Sequence, residues 1–222
     1  MSDDIDPGSA GPPEQGPPDG EPDNSIQQVR HQQISALVPE SVARGVFSTG
    51  AIVLVGGNEF IIDFVLRMTR PHQVIARVVM PHSVMPQFIS ALRDNLKKYE
   101  GRFGSPPELP RPPNDKRPSI QEVYDEMKLP DEVLAGSYAN GVMVGHSASE
   151  FSFDFIASFF PKSAVSSRVF LSAPQIPRLL ESLDKTYANF QQRVIEQRKQ
   201  AQNPSPPPVD EPPVDPLDQM PG

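Results

Sequence analysis

Glu59-Phe60-Ile61-Ile62-Asp63-Phe64 and Glu150-Phe151-Ser152-Phe153-Asp154-Phe155 are one strand written twice. Each copy alternates with period two. Phe60, Ile62 and Phe64 share one face, with Glu59, Ile61 and Asp63 on the other. The second copy sets Phe151, Phe153 and Phe155 against Glu150, Ser152 and Asp154. That alternation marks a half-buried strand. A constant shift of 91 residues aligns the two halves around these stretches without a gap. It pairs Pro39 with Pro130, Val42 with Val133, Gly45 with Gly136, Gly50 with Gly141, Arg77 with Arg168, Pro86 with Pro177 and Leu92 with Leu183, for 14 identities over the 62 pairs from 39 to 100. The chain carries a tandem duplication.

Each unit reads as three strands and a helix. Strand one covers residues 45–55 and 136–145, and the turn chemistry of Gly56-Gly57-Asn58 and Ser147-Ala148-Ser149 leads into strand two. Strand three covers residues 73–80 and 164–171. In its first copy Val74, Ala76, Val78 and Met80 share one face and Arg77 lies on the other. The helices follow directly, with Ser83 and Ser172 as expected N-caps and Pro86 in a first turn, where its missing N–H costs little. Met85, Phe88, Ile89, Leu92, Leu96, Tyr99 and Phe103 make one apolar stripe, ended by Gly104. Ile176, Leu179, Leu180, Leu183, Tyr187, Phe190 and Val194 make the other. Such a stripe must cover an apolar sheet face, and the phenylalanine face of strand two is the expected partner. The expected fold is α+β: two βββα units related by a pseudo-twofold and joined into one composite domain.

The rest of the chain is punctuation. Residues 1–38 form an acidic Pro/Gly-rich tail and approach segment. Residues 39–104 are the first unit and residues 105–129 a Pro-rich linker, with a capping box at Ser119-Ile120-Gln121-Glu122 opening a short helix to about Leu129. Residues 130–199 are the second unit, and residues 200–222 a Pro/acid-rich tail expected to be disordered, like the N-terminal one. A net charge of −8 divides into −7 over residues 1–24, −4 over 200–222, +3 over 39–104 and zero over 130–199. The acidity therefore belongs to the tails. The 14-residue Pro-rich stretch at 105–118 could span about 40 Å, so the units can pair within one chain or between chains. With no cysteine, thiol catalysis, thiolate metal sites and disulfides are excluded. The N-terminus lacks a basic region and an apolar run, and no stretch approaches a membrane span. We expect a soluble, cytoplasmic protein with no membrane association.

The residues also resemble a known family. The second unit carries Gly136-Ser-Tyr-Ala-Asn140, His146-Ser-Ala-Ser-Glu-Phe151, Asp154-Phe155, Ser167-Arg168-Val169 and Arg178-Leu-Leu180. The first carries Arg77-Val78-Val79, Asp94-Asn-Leu-Lys-Lys-Tyr-Glu100 and Phe103-Gly104. Together these resemble a small prokaryotic (bacterial) domain of unknown function, family three-four-six-seven, over both units. The resemblance implies no activity. The family's helix start resembles Ser-Pro-x-x-Ala-Lys-Arg-Leu, whereas Pro86 and Pro177 occupy the lysine position here, so no anion-binding lysine carries over.

Glu59, Asp63 and Arg77, with Glu150, Asp154 and Arg168, are the recurrent charged set. Glu59 and Asp63 lie four apart on a strand, about 13 Å, too far for a shared metal or a retaining carboxylate pair. We expect instead a cross-strand Asp–Arg pair, with the glutamate at the turn. His31, His72, His82 and His146 show no metal-ligand spacing, no nucleophile elbow is present, and no lysine-bearing helix follows Gly56-Gly57. No enzyme, cofactor or metal is expected. Arg93, Lys97, Lys98 and Arg102, near Tyr99 and Phe103, form a candidate nucleic-acid patch. On that alternative the duplicated units parallel PUR-type and whirly single-strand binders, at fold level only. The leading expectation is a non-catalytic binding or scaffolding module acting on a protein partner or by self-association. Its basis is the half-apolar second sheet face, where Ile61, Ile75, Val79, Ile156 and Phe170 join the charges.

Overall fold

The computed structural model describes residues 36–110, 119–159 and 161–202. The N-terminal tail, the second half of the Pro-rich stretch and the C-terminal tail lie outside the described residues. In chain order the elements are α1 (Glu40–Ala43), β1 (Val46–Ser48), β2 (Gly50–Val55), β3 (Glu59–Leu66), β4 (His72–Pro81), α2 (Met85–Phe103), α3 (Ile120–Asp125), β5 (Met127–Lys128), α4 (Asp131–Leu134), β6 (Ser137–Tyr138), β7 (Gly141–His146), β8 (Glu150–Phe159), β9 (Lys162–Ser172), a 3-10 turn (Ala173–Gln175) and α5 (Ile176–Gln202). The fold is α+β, with the unit repeated.

Each unit contributes an antiparallel three-stranded meander, β2-β3-β4 and β7-β8-β9. The remaining strands are exchanged. β1 of the first unit pairs parallel with β9, setting Val46 against Val169 and Ser48 against Leu171. β6 of the second unit pairs parallel with β4, setting Val78 against Ser137. β5 extends the same edge of β4, and Leu37 bridges Ala164 on β9 in the matching place. Each lead-in therefore runs along the other unit's third strand.

This corrects the reading of residues 45–55 and 136–145 as single strands. Each breaks near its middle and serves two sheets. Polar groups at the crossing replace the ladder bonds lost there, as buried backbone requires. Thr49 N–H and Oγ1 both donate to Val65 O, at 2.9 and 3.1 Å, and Ser48 Oγ donates to Gly50 O at 2.6 Å. In the second unit Asn140 takes the role: its Nδ2 donates to Ser158 O at 2.9 Å and its Oδ1 accepts from Ser158 N–H at 2.7 Å. Opposite each crossing the ladder shifts, between Phe64 and Val65 and between Phe155 and Ile156. Ile75 and Ser166 are the unpaired extra residues of these bulges. The bulge moves Val74 off the face shared by Ala76, Val78 and Met80, so that it packs with Ile52 and Val65 in a second cluster. Ile156, expected beside the charges, is fully buried.

The repeated glycines ahead of the exchanged strands have a steric cause. Gly45 and Gly136 adopt φ of +64° and +73°. A Cβ on Gly136 would lie 2.8 Å from Val79 Cγ2, and one on Gly45 2.5 Å from Phe170 Cε2. Left-handed backbone and close approach both demand glycine.

The helices are exchanged as well. α2 lays its stripe on the second unit's sheet: Phe88 lies 6.0 Å from Phe153 and 5.7 Å from Phe155, and Tyr99 lies 5.3 Å from Phe151. α5 returns the exchange, with Phe190 5.4 Å from Phe60. Phe64 meets Phe155 at 5.6 Å between the two sheets, so both units share one core. Phe103 falls off the stripe and is exposed. Neither expected serine cap forms. Val84 precedes α2 without a side-chain cap bond, and Ser172 precedes the 3-10 turn, also without one. The capping box at Ser119 does form, with Glu122 N–H donating to Ser119 Oγ at 3.2 Å and Ser119 N–H donating to Glu122 Oε2 at 2.6 Å. Its helix stops at Asp125 rather than near Leu129, because Met127 and Lys128 join β4.

Candidate functional site: twin charged clamps and the pocket between them

Asp63 and Arg77 are direct register partners on β3 and β4. Arg77 Nε and Nη2 donate to the two carboxylate oxygens of Asp63, each at 2.7 Å. Arg77 Nη1 crosses to the second unit and donates to Leu134 O at 3.1 Å, at the end of α4. The second clamp mirrors it. Arg168 Nε and Nη2 donate to Asp154 at 2.6 and 2.7 Å, and Nη1 donates to Ala43 O at 3.1 Å, at the end of α1. A planar guanidinium suits this task, with one fork on the carboxylate and one donor left to hold the exchanged lead-in.

The clamps differ in two respects. Tyr124 of α3 donates its hydroxyl to Asp63 Oδ2. Asp63 is completely buried, while the side chain of Asp154 is 17% exposed. The Asp63 hydrogen bonds hold the Arg77 pKa above its ordinary value against the opposing effect of burial, and Asp154 does the same for Arg168. Burial first, then the bond to Asp63, pushes the Tyr124 phenol well above its usual range. A raised phenol pKa contributes stability that is complete below the ordinary value near about 10 and is lost as pH rises toward the folded-state value. Tyr124→Phe should therefore lower the urea midpoint at neutral pH, by about 1.5–3 kcal/mol in stability. It should also flatten the alkaline fall. Parallel wild-type and variant curves above about pH 10 would contradict this assignment.

Between the clamps lies a pocket of about 330 Å³, lined by residues that pair under the 91-residue shift: Val42 with Val133, Gly45 with Gly136, Arg77 with Arg168. It straddles the pseudo-twofold. The forks of both clamp arginines are already committed to carboxylate and carbonyl oxygens. The arrangement locks the units, and the exposed Glu132 also lines the pocket. Glu59 and Glu150 stay apart from it at the turns, where Glu59 Oε2 accepts from Asn58 N–H at 3.1 Å and Glu150 Oε2 from Ser147 Oγ at 2.8 Å.

The basic set on α2 is not held together. Arg93 Nη2 donates to both oxygens of Asp184 on α5, at 2.7 and 2.9 Å. Those two positions are equivalent under the repeat, so this pair joins the two helices. Lys97, Lys98 and Arg102 are exposed, with Asp94 and Glu100 interspersed and Arg102 lying over the Phe103 ring at 5.1 Å. His146 and His82 sit in aromatic surroundings, and His82 Nε2 lies 3.1 Å from Glu59 O. His146 lies 5.8 Å from the Tyr99 ring, and His82 lies 4.1 Å from that of Phe190. Among the described residues no group of three or more His, Asp or Glu side chains is placed to hold a metal ion. No helix among them is long and apolar enough to cross a membrane.

Tyr124 and the two carbonyl acceptors escaped the sequence reading. For the carbonyls a signal existed. The identities Pro39/Pro130, Val42/Val133 and Gly45/Gly136 mark a lead-in kept as closely as the strands themselves.

The family model described as Protein of unknown function (DUF3467) matches residues 14–107 and again residues 110–197. The chain belongs to this family. The two DUF3467 matches fall on the two units, so the internal symmetry of clamps, crossings and helices is that of a duplicated family domain. Comparison with curated proteins and with solved structures gives no match.

Proposed function

We propose that this tandem DUF3467 protein is a non-catalytic binding module that takes extended segments of protein partners on the free edges of β2 and β7. The observation that carries this reading is the edge strand Gly50-Ala51-Ile52-Val53-Leu54-Val55. Among the described residues it pairs on one side only, with β3, and it contains no charge and no proline. β7 is its equivalent, paired among the described residues only with β8 and likewise free of acidic, lysine, arginine and proline residues. Edge strands ordinarily carry lysine, proline or bulges that block addition of a further strand. These two carry none, and the opposite edges, β4 and β9, are filled by the exchanged lead-ins.

The hairpin bond from Gly56 N–H to Glu59 O fixes the ladder phase. By alternation, Ile52 and Leu54 bond inward to β3, and the N–H and C=O groups of Ala51, Val53 and Val55 face outward. Ser147 N–H to Glu150 O sets the same phase in the second unit, leaving Val142, Val144 and His146 outward. Strand addition supplies affinity through such main-chain groups and specificity through alternate side chains. The nucleic-acid alternative draws less support, because Arg93 is engaged by Asp184 and its basic neighbours alternate with acids.

Proline at Val53 and at Val144 removes outward N–H groups without breaking a bond to β3 or β8. We expect the double variant to keep the circular dichroism and cooperative melting of the parent. Photo-crosslinks from Leu54 and Met143 to partners in the source cell should disappear. Retention of the same partners and crosslinks by the folded variant would refute edge binding.

A further inference from the structure

Arg67, at the end of β3, and Arg178, in the first turn of α5, line one cavity of about 110 Å³ together with Gln175 and the backbone of Gly50. No carboxylate lines it. Arg178 Nη2 donates to Leu109 O and Pro110 O at 2.8 and 2.7 Å, which leaves donors of its five unspent. The Arg67 guanidinium forms no ion pair or hydrogen bond with the described residues. The residue as a whole is exposed, yet packing around its head group lowers its pKa. Among the described residues that cation has no counter-charge.

The duplication supplies an internal control. Gly50 recurs as Gly141, but the positions equivalent to Arg67 and Arg178 hold Ser158 and Gln87. Ser158 is already engaged by Asn140 and Ser163. A charge needed for the sheet crossing would recur with the crossing. These two do not, so they serve something that only one unit does.

We propose that this cavity is an oxyanion site for a phosphate-sized ligand, gripped by Arg67 and Arg178 with Gln175 as a neutral donor. The volume suits one tetrahedral oxyanion with a water molecule, which occupies about 30 Å³. Paired guanidinium forks are the groups that recognise such oxygens. The shared chemistry is a phosphoryl group, free or carried on a small organic molecule.

The test titrates the full chain with inorganic phosphate at constant ionic strength and follows the arginine Nε–H resonances and the melting temperature. Saturable shifts of the Arg67 and Arg178 resonances are expected, with a rise in melting temperature. Arg67→Gln should weaken the phosphate response about tenfold, a loss of one good charged contact. Glycerol phosphate in place of inorganic phosphate separates the two sources: tighter binding assigns an organic phosphate, and weaker binding assigns the free ion. Equal responses to phosphate and chloride would overturn the site. So would an unaltered response in folded Arg67→Gln, and should that variant fail to fold, the wild-type resonances alone decide.

Discussion

Replacing Asp63 with alanine is expected to cost about 3–5 kcal/mol of folding stability, because it leaves a guanidinium uncompensated in the interior. Asp63 is fully buried and holds Arg77 through both carboxylate oxygens while accepting the Tyr124 hydroxyl. Arg77 also carries the α4 carbonyl of Leu134, so the loss spreads to the lead-in exchanged from the second unit. Asp154→Ala, at the more exposed clamp, should cost roughly 1–3 kcal/mol. Urea denaturation of the two variants reads the difference directly. Replacing the whole pair, as Asp63→Leu with Arg77→Met, should recover much of the loss, since an apolar pair of similar volume often matches a buried ion pair. The clamps would instead be functional groups if both alanine variants melted like the parent and lost partner binding.

The asymmetry of the clamps shows where a reading of the chain in one dimension stops. Period-two alternation identified the buried phenylalanines of β3 and β8, and 3.6-residue spacing identified the stripes of α2 and α5. Both signals report which residues leave water. Neither reports which sheet receives them. The two units carry nearly the same pattern, so Phe88 facing Phe153 and Phe88 facing Phe60 are equivalent choices for the sequence. The exchange is decided by long-range geometry. The change of sheet at Thr49 and Asn140 was hidden for a related reason. Apolar residues continue on both sides of each crossing, and only the side-chain hydrogen bonds of Ser48, Thr49 and Asn140 reveal the break. The Asp–Arg pairing was legible because its four residues recur at one spacing. Tyr124 was not, because the repeat places Gln33 at the equivalent position, so no second tyrosine marks it. The basic run on α2 carries a contact that its spacing does not announce. Four cations lie close in sequence, and one of them, Arg93, pairs across the pseudo-twofold with Asp184.

Residues 36–110 and 119–202, produced as two separate chains, are expected to form a one-to-one complex with a single cooperative unfolding transition, while neither half folds as a monomer. The first half alone would keep β2-β3-β4 but lose Phe190 and Tyr187 from the face of Phe60, and Phe155 from that of Phe64. The second would lose Phe88 from Phe153 and Phe155, and Tyr99 from Phe151. Each large apolar side chain returned to water costs about 1.5–3 kcal/mol. Phe60, Ile62, Phe64, Phe151, Phe153 and Phe155 are all fully buried, and their summed exposure rivals the 5–15 kcal/mol that holds an ordinary domain together. The open edges of β4 and β9 would add unpaired backbone, since each is filled by the other half. A homodimer, in which a second copy supplies the missing lead-in and helix, is the one folded state left to a single half. Sedimentation and circular dichroism of each half, alone and mixed, measure this. A folded monomeric half would mean that the helix can return to its own sheet, and that the exchange is not what holds the two DUF3467 units together.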